Sequence, residues 1–149
     1  MRQMIRAGCL LACLCVWPAA VESQVLVHTV TLTTDSSGDV TAYTRPTYGH
    51  VLAVRYVPDS STPLDGGADV TVSDNATGLQ VLAVTNMGLV ARDFAPRIFT
   101  VNTLGAVALY AASGTSVLDA VPVAGAIKVV VASGGNAKVG TLYIYMQGR

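Results

Sequence analysis

The clearest alternation of apolar and polar positions lies in residues 126–146, which read AIKVVVAS, GGNAK and VGTLYIYM. Two runs of strand-forming residues flank a Gly-Gly-Asn segment, and this combination predicts a β-hairpin. Side chains alternate between the two faces of a strand, so each run has one continuous apolar face. The residues of these faces are Ile127, Val129 and Val131 in the first run and Leu142, Ile144 and Met146 in the second.

The opposite face of the predicted hairpin is not strongly polar either. It carries Lys128, Val130, Thr141, Tyr143 and Tyr145. A two-stranded hairpin with two such faces needs a second sheet or a neighbouring subunit to cover it. We therefore expect the Tyr143 and Tyr145 side to be covered, by loops of the opposite sheet or by another subunit.

Proline positions separate central from edge segments. Pro96 lies in a crossing segment, residues 92–100, and Pro122 lies in a strand-like run, residues 117–123. Proline cannot donate to a sheet ladder and favours edges. The proline-free residues 126–146 are therefore predicted to form the central pair of a sheet.

The rest of the chain has the same short-strand pattern. The other predicted strands are residues 24–34, 39–44, 50–57, 68–74 and 79–85, with a short one at 89–91. The first two are expected to form a hairpin across Asp35-Ser36-Ser37-Gly38, residues 58–67 a loop, and residues 101–113 a loop, an irregular strand or a short helical turn. About eight strands spaced near ten residues apart predict an all-β fold, an antiparallel β-sandwich or jelly-roll-like barrel.

The first 23 residues differ from this pattern and form an apolar leader before a single domain, residues 24–149. Arg2 and Arg6 precede a short apolar run, and small residues follow Pro18, as in a secretory signal peptide. The alternative is a miscalled start, with translation beginning at Val21. All three cysteines, Cys9, Cys13 and Cys15, lie in the leader, so the domain has no disulfide framework.

Charge is sparse and balanced. Only 12% of the residues are charged and the formal net charge is zero, which disfavours a nucleic-acid-binding protein. Soluble monomers usually keep a net charge. We therefore expect the surface of this β-protein, with its few charges, to be buried in an assembly. We expect self-association and no membrane contact in the mature form.

No motif of an enzyme or cofactor site is found, and we expect no catalytic, cofactor or metal residues. His28 and His50 show no metal-ligand spacing, and no nucleophile elbow or phosphate-binding loop occurs. The loop between Asp59 and Asp74 also contains Asp65 and Asp69, and oxygen-rich loops sometimes hold calcium. Its spacing matches no EF-hand, and aspartate is common in turns.

Two groups of residues are candidates for an interface. Arg92, Phe94 and Arg97 cluster in the crossing segment, either as a local ion pair with Asp93 over the phenyl ring or as an inter-subunit contact. Arginine and aromatic residues are enriched in interface cores. Tyr143 and Tyr145 complete the set of possible interface residues.

From residue 25 onward, over about 120 residues, the chain resembles small β-sandwich virion structural proteins of tailed bacteriophages and prophages. The stretches that carry the resemblance are VHTVTLTTDSSGDVTAYT, HVLAVRYV, VTVSDNATGLQVLAVT, the Pro96-Arg97 pair and IKVVVASGGNAKVGTLYIYM. The resemblance implies a non-enzymatic capsid decoration or head–tail component that contacts capsid or tail proteins and resides in the virion after assembly in the host cytoplasm. A signal peptide would depart from this family's pattern, because virion proteins assemble in the cytoplasm. The resemblance therefore favours the miscalled start over the signal peptide.

The alternative is a secreted or periplasmic β-sandwich that binds a ligand, carbohydrate or calcium-linked, through the Asp59–Asp74 loop. This alternative requires the leader to be a real signal peptide.

Overall fold

The computed structural model of the protein describes residues 24–110 and 114–148. The predicted leader, residues 1–23, lies outside the described residues. The described residues form ten β-strands and no helix. The strands are β1 Val25–Thr33, β2 Val40–Tyr43, β3 Gly49–Pro58, β4 Asp69–Asp74, β5 Gln80–Val84, β6 Arg92–Phe94, β7 Arg97–Phe99, β8 Leu118–Val123, β9 Ile127–Ala132 and β10 Val139–Gly148.

The strands form two antiparallel sheets with one core between them, which confirms the predicted all-β sandwich. The large sheet has the order β1-β10-β3-β8-β7, with β6 also paired to β3. The small sheet has the order β2-β9-β4-β5. The core between the sheets is rich in valine, as β-branched side chains pack well on a pleated surface.

The alternation of the last two strands is confirmed in every predicted position. All six side chains of the predicted apolar faces are completely buried, namely Ile127, Val129, Val131, Leu142, Ile144 and Met146. They are inner-face residues of two sheets that pack against each other. The other faces of β9 and β10 point outward from the sandwich.

The predicted hairpin of residues 126–146 is wrong. β9 lies between β2 and β4 in the small sheet, whereas β10 lies between β1 and β3 in the large sheet. Both strands are interior, but they belong to different sheets. The connection between them is a corner with positive φ at Ser133, Gly135 and Ala137. The turn-forming Gly-Gly-Asn segment serves a corner as well as it serves a hairpin.

The predicted hairpin of β1 and β2 is wrong for the same reason, because this connection also crosses between the sheets. The two crossing connections, residues 34–39 and 133–138, run side by side and form what we call the double corner. The Gly134 N–H donates to the Gly38 carbonyl at 2.7 Å, and the Thr34 N–H donates to the Lys138 carbonyl at 3.0 Å. The Thr34 hydroxyl donates to the Gly135 carbonyl and accepts from the Lys138 N–H at 2.9 Å. Thr34 is 4% exposed, so these bonds are shielded from water.

The segments that contain proline behave differently from each other. Pro96 separates β6 from β7, which pair with different strands, β3 and β8. β8 lies between β3 and β7 rather than at the edge predicted from Pro122. However, β3 pairs only with residues 121–123 of β8, and β7 pairs only with residues 118–120. Pro122 is therefore paired with a strand on one side only, as at an edge.

Replacing Thr34 with valine tests the double corner. Thr34→Val keeps the side-chain shape but leaves the Lys138 N–H and the Gly135 carbonyl without their partner. We expect the free energy of unfolding to fall by about 1–3 kcal/mol, since buried groups that lose a partner lose that much. Denaturant unfolding measures it. Thr33→Val, on the exposed neighbour, is the matched control and should change the value by less than about 0.5 kcal/mol.

Candidate interaction surface

The outer face of the large sheet carries few charges. One row of directly opposite residues runs across four strands: Thr29, Tyr143, Arg55 and Asp93. Directly opposite side chains lie on the same face of a sheet. The Arg55 Nε lies 3.7 Å from the Asp93 Oδ1, with both side chains well exposed. This pair neutralises its own charge and contributes little to stability.

Tyr143 and Tyr145 lie on this outer face and are half-buried. Neighbours on β1 and β3, such as Val27 and Ala53 beside Tyr145, flank their rings. Their own sheet therefore covers part of each ring and leaves part open to solvent. Within one chain, the predicted cover of these two rings is therefore partial.

The other predicted interface residues do not share that face. Arg92 and Phe94 lie opposite Tyr56 and Val54, both completely buried, and so are on the core side of the sheet. Phe94 packs against the core. Arg97 begins β7 and donates to the carbonyls of Leu52 and Pro96.

The expected ion pair within the crossing segment is replaced by one between strands. Asp93 pairs with Arg55 of β3 rather than with Arg92 or Arg97. The five predicted residues thus all belong to the large sheet, but the structure does not gather them into one patch.

A second surface is formed by what we call the arm, residues 98–110 and 114–118. At its base β7 pairs with β8. Beyond the base, backbone hydrogen bonds link three segments of the arm. The Thr100 N–H donates to the Val117 carbonyl at 3.0 Å, the Val117 N–H to the Ala108 carbonyl at 2.9 Å, and the Ala108 N–H to the Thr100 carbonyl at 2.8 Å. Residues 101–110 thus form a loop with isolated antiparallel bridges, Val101 with Val107 and Leu109 with Ser116, and no helix. The Asn102 Oδ1 closes the tip by accepting from the Leu104 and Ala106 amides.

The arm exposes apolar side chains without any charge between them. Its exposed large apolar residues are Phe99, Val101, Leu104, Val107, Leu109, Tyr110 and Leu118. Leu104 is 89% exposed and Tyr110 is 76% exposed, although neither is at a chain end. Residues 98–118 contain no charged residue. Clustered apolar exposure of this kind marks protein interaction sites on soluble domains.

Sequence reasoning did not select the arm. In the sequence the arm is marked only by what is missing. Residues 98–118, a run of 21, contain neither a charged residue nor a regular alternation of apolar and polar positions. Such a run has no strand or helix period, so pattern analysis classifies it as irregular. Only its exposure identifies it as a surface.

A cleft of about 510 Å³ lies between the end of β4 and the end of β8. Its lining residues are Asp74, Thr77, Gly78, Leu79, Pro122, Val123 and Ala124. The Asp74 carboxylate is buried and accepts hydrogen bonds from the Thr77 hydroxyl at 2.7 Å and from the amides of Ala76 and Ala124. Burial raises the pKa of Asp74, but these hydrogen bonds together outweigh it and the net pKa is lowered. The carboxylate is thus engaged in holding the β4–β5 turn against β8.

The remaining aspartates of the Asp59–Asp74 loop are also engaged locally. Amides of Thr62 and Ser61 donate to Asp59 and lower its pKa. Asp65 pairs with Lys138 at 3.7 Å, and Asp69 accepts from the Asn86 amide. Within residues 24–110 and 114–148, no three histidine, cysteine, aspartate or glutamate side chains gather as metal ligands do.

The two histidines lie on different strands at different levels of the large sheet. His28 of β1 is opposite Ile144, whereas His50 of β3 is opposite Gln147. In the part of the chain that the structure describes, no helix has the length and apolar character needed to cross a membrane.

No family model matches the chain, and no curated protein matches it. Among solved structures, the crystal structure of FLHE is similar at a TM-score of 0.40 and 11% sequence identity. The alignment covers 83% of this chain and 97% of that one. A likeness this weak carries no functional argument.

Replacing Asp74 with asparagine tests its structural role. Asp74→Asn replaces one carboxylate oxygen with an NH2 group, so at least one of the bonds from Thr77, Ala76 and Ala124 loses its acceptor. At neutral pH the free energy of unfolding should fall by about 1.5–3 kcal/mol, the range for hydrogen bonds to charged groups.

The pH dependence follows from the lowered pKa. The folded pKa lies below the unfolded value of about 3.9, so the stabilisation is present above that value and is lost as pH falls through the folded pKa. Denaturant unfolding from pH 7 to pH 3 should show the wild-type and variant values converge in acid. A difference that stays constant over this range contradicts the assignment. Asp119→Asn, on an exposed side chain, is the control.

Proposed function

We propose that the protein is a non-enzymatic structural component of a phage or prophage virion, a capsid decoration or head–tail protein, which docks on neighbouring virion proteins through the arm. The observation that carries the proposal is the uncharged apolar surface of the arm. Its seven exposed apolar side chains lie outside the core of the sandwich. The resemblance to small virion β-proteins supplies the class of partner.

The energetics of the arm suit docking. Burying a leucine, valine or phenylalanine side chain completely stabilises a complex by about 1.5–3 kcal/mol. Several such side chains together exceed the cost of lost rigid-body freedom, which is about 4–15 kcal/mol. An uncharged partner surface is favoured, because any charge it buried against the arm would find no ion-pair partner between residues 98 and 118.

The rest of the domain suits a passive role. The aspartates of the Asp59–Asp74 loop are engaged by nearby backbone amides and by Lys138, so no observation supports the calcium-linked form of the alternative, a secreted ligand-binding module. We place the protein in the virion. Secretion or periplasmic localisation follows only if residues 1–23 are a functional signal peptide.

The test asks whether the protein is part of the particle. Particles are purified by density gradient from the strain that encodes the gene, with its chromosomal copy deleted and a tagged full-length copy supplied. Mass spectrometry and immunoblotting measure the amount of protein per particle. We expect the wild-type chain to co-purify with particles at a constant ratio to the major capsid protein.

Charge placed on the arm should abolish this association. Tyr110→Asp and Leu104→Asp each put a carboxylate on an apolar docking surface. We expect the amount of particle-bound protein to fall about tenfold or more, which corresponds to a loss of about 1.4 kcal/mol in binding free energy. Tyr43→Asp is the matched control, because Tyr43 is 54% exposed on the outer face of the small sheet.

Two outcomes would overturn the proposal. The first is wild-type protein that is absent from particles and is recovered from the periplasm or medium with its leader removed. The second is a Tyr43→Asp chain that loses as much particle association as the Tyr110→Asp chain does.

A further inference from the structure

The large sheet ends in a long strand with one free side. β1 has nine residues and pairs with β10 along its whole length. No other strand among the described residues pairs with its other side. The remaining terminal strands are much shorter, with four residues in β2, five in β5 and three in β7.

The ladder to β10 identifies the backbone groups that face the free side. The Gly148 N–H donates to the Gln24 carbonyl, and the Thr34 N–H donates to the Lys138 carbonyl, both at 3.0 Å. Even-numbered residues therefore bond toward β10. Hydrogen-bonding groups alternate along an antiparallel strand, so the odd-numbered residues direct their N–H and C=O groups toward the free edge. These residues are Val25, Val27, Thr29, Thr31 and Thr33.

The free edge lacks the usual protection against pairing. Natural edge strands carry lysine, proline, bulges or inward-pointing charges that prevent edge-to-edge association. β1 reads VLVHTVTLT and has no lysine, arginine, aspartate or glutamate, and no proline or glycine. Its register with β10 has no bulge. At its start Val25 is 59% exposed, Val27 51% and Leu26 40%.

We propose that β1 pairs with β1 of a second copy of this chain, antiparallel and about a two-fold axis at Thr29, so that the two large sheets become one continuous sheet. The occupant is a second copy because the strand is complementary to itself. Each of its five outward-facing residues meets another outward-facing residue, and about ten hydrogen bonds form. No like charges are brought together.

The register follows from the strand's length and polarity. With Thr29 on the axis, all nine residues are paired, and Val25 lies opposite Thr33 of the partner subunit. Leu26, on the inner side, lies opposite Leu32 of the partner subunit. A shift by one position of the axis places His28 opposite His28 of the partner subunit and leaves strand ends unpaired.

This pairing is independent of the proposed function. β1 and the arm lie at opposite ends of the large sheet, since the arm is built on β7 and β8. A dimer joined at β1 therefore leaves both arms free. Failure of the dimer would leave virion docking untouched, and failure of virion docking would leave the dimer untouched.

Introducing a charge at the two-fold axis tests the proposed pairing of the two β1 strands. Thr29 is exposed on the outer face and lies opposite itself in the dimer, so Thr29→Lys and Thr29→Glu each place like charges face to face. Sedimentation velocity of the full-length chain measures association. We expect a concentration-dependent wild-type dimer, a dissociation constant raised at least about fivefold in each variant alone, and recovery of the dimer when the two variants are mixed in equal amounts.

Thr71→Lys and Thr71→Glu are the matched controls. Thr71 is exposed on β4, an interior strand of the small sheet, and its substitution should leave the wild-type dimer unchanged. A wild-type chain that remains monomeric up to about 1 mM overturns the proposal. An unrestored mixture of the two Thr29 variants also overturns it.

A cross-link tests the register without relying on charge. In a full-length chain with Cys9, Cys13 and Cys15 replaced by serine, Thr29→Cys places two thiols on a hydrogen-bonded pair with Cα atoms about 5.5 Å apart. This separation suits a disulfide. Thr31→Cys lies on the same face, but the two copies are four residues apart along the strand, about 13 Å.

Mild oxidation should therefore cross-link the Thr29→Cys dimer and not the Thr31→Cys dimer, as read on a non-reducing gel. Equal cross-linking of both variants, or cross-linking of Thr31→Cys alone, contradicts the proposed axis.

Discussion

The hydrogen bonds of the double corner determine which strands of the sandwich are neighbours. Thr34 bonds to Gly135 and Lys138, more than a hundred residues away in the chain, and Gly134 bonds to Gly38. These bonds require β1 and β10 to be neighbours in one sheet and β2 and β9 to be neighbours in the other. Once both crossings are made at one end of the sandwich, the apolar faces of β9 and β10 must face each other. The core between Val129 and Ile144 is the consequence.

The sequence predicted which side chains are buried much better than it predicted which strands pair. Alternation is a local property, so the inward faces of β9 and β10 could be read directly. Pairing is a long-range property, and the same Gly-Gly-Asn segment suits a hairpin or a corner. The signal that separates the two, a buried hydroxyl at Thr34 with two backbone partners near Gly135, exists only in three dimensions.

The candidate site was harder to predict for a different reason. Arg92, Phe94 and Arg97 were selected because their residue types are common in interfaces, but the sheet turns Phe94 toward the core and Arg97 toward backbone carbonyls. The arm was missed because it is defined by missing charge and by exposure. Nothing in the sequence distinguishes Tyr110 from other tyrosines. It indicates an interaction surface only because the fold leaves it 76% exposed among other apolar residues.

We propose that the arm is the surface through which the protein joins a particle. Amide hydrogen exchange measured on the free protein and on purified particles tests it most directly. We expect exchange at amides of the arm, such as Leu104 and Tyr110, to slow by about tenfold or more in the particle because the arm becomes buried. Exchange at the exposed Ala83 in β5 should be unchanged. Unchanged exchange in the arm of particle-bound protein, with slowing on the small sheet, would contradict it.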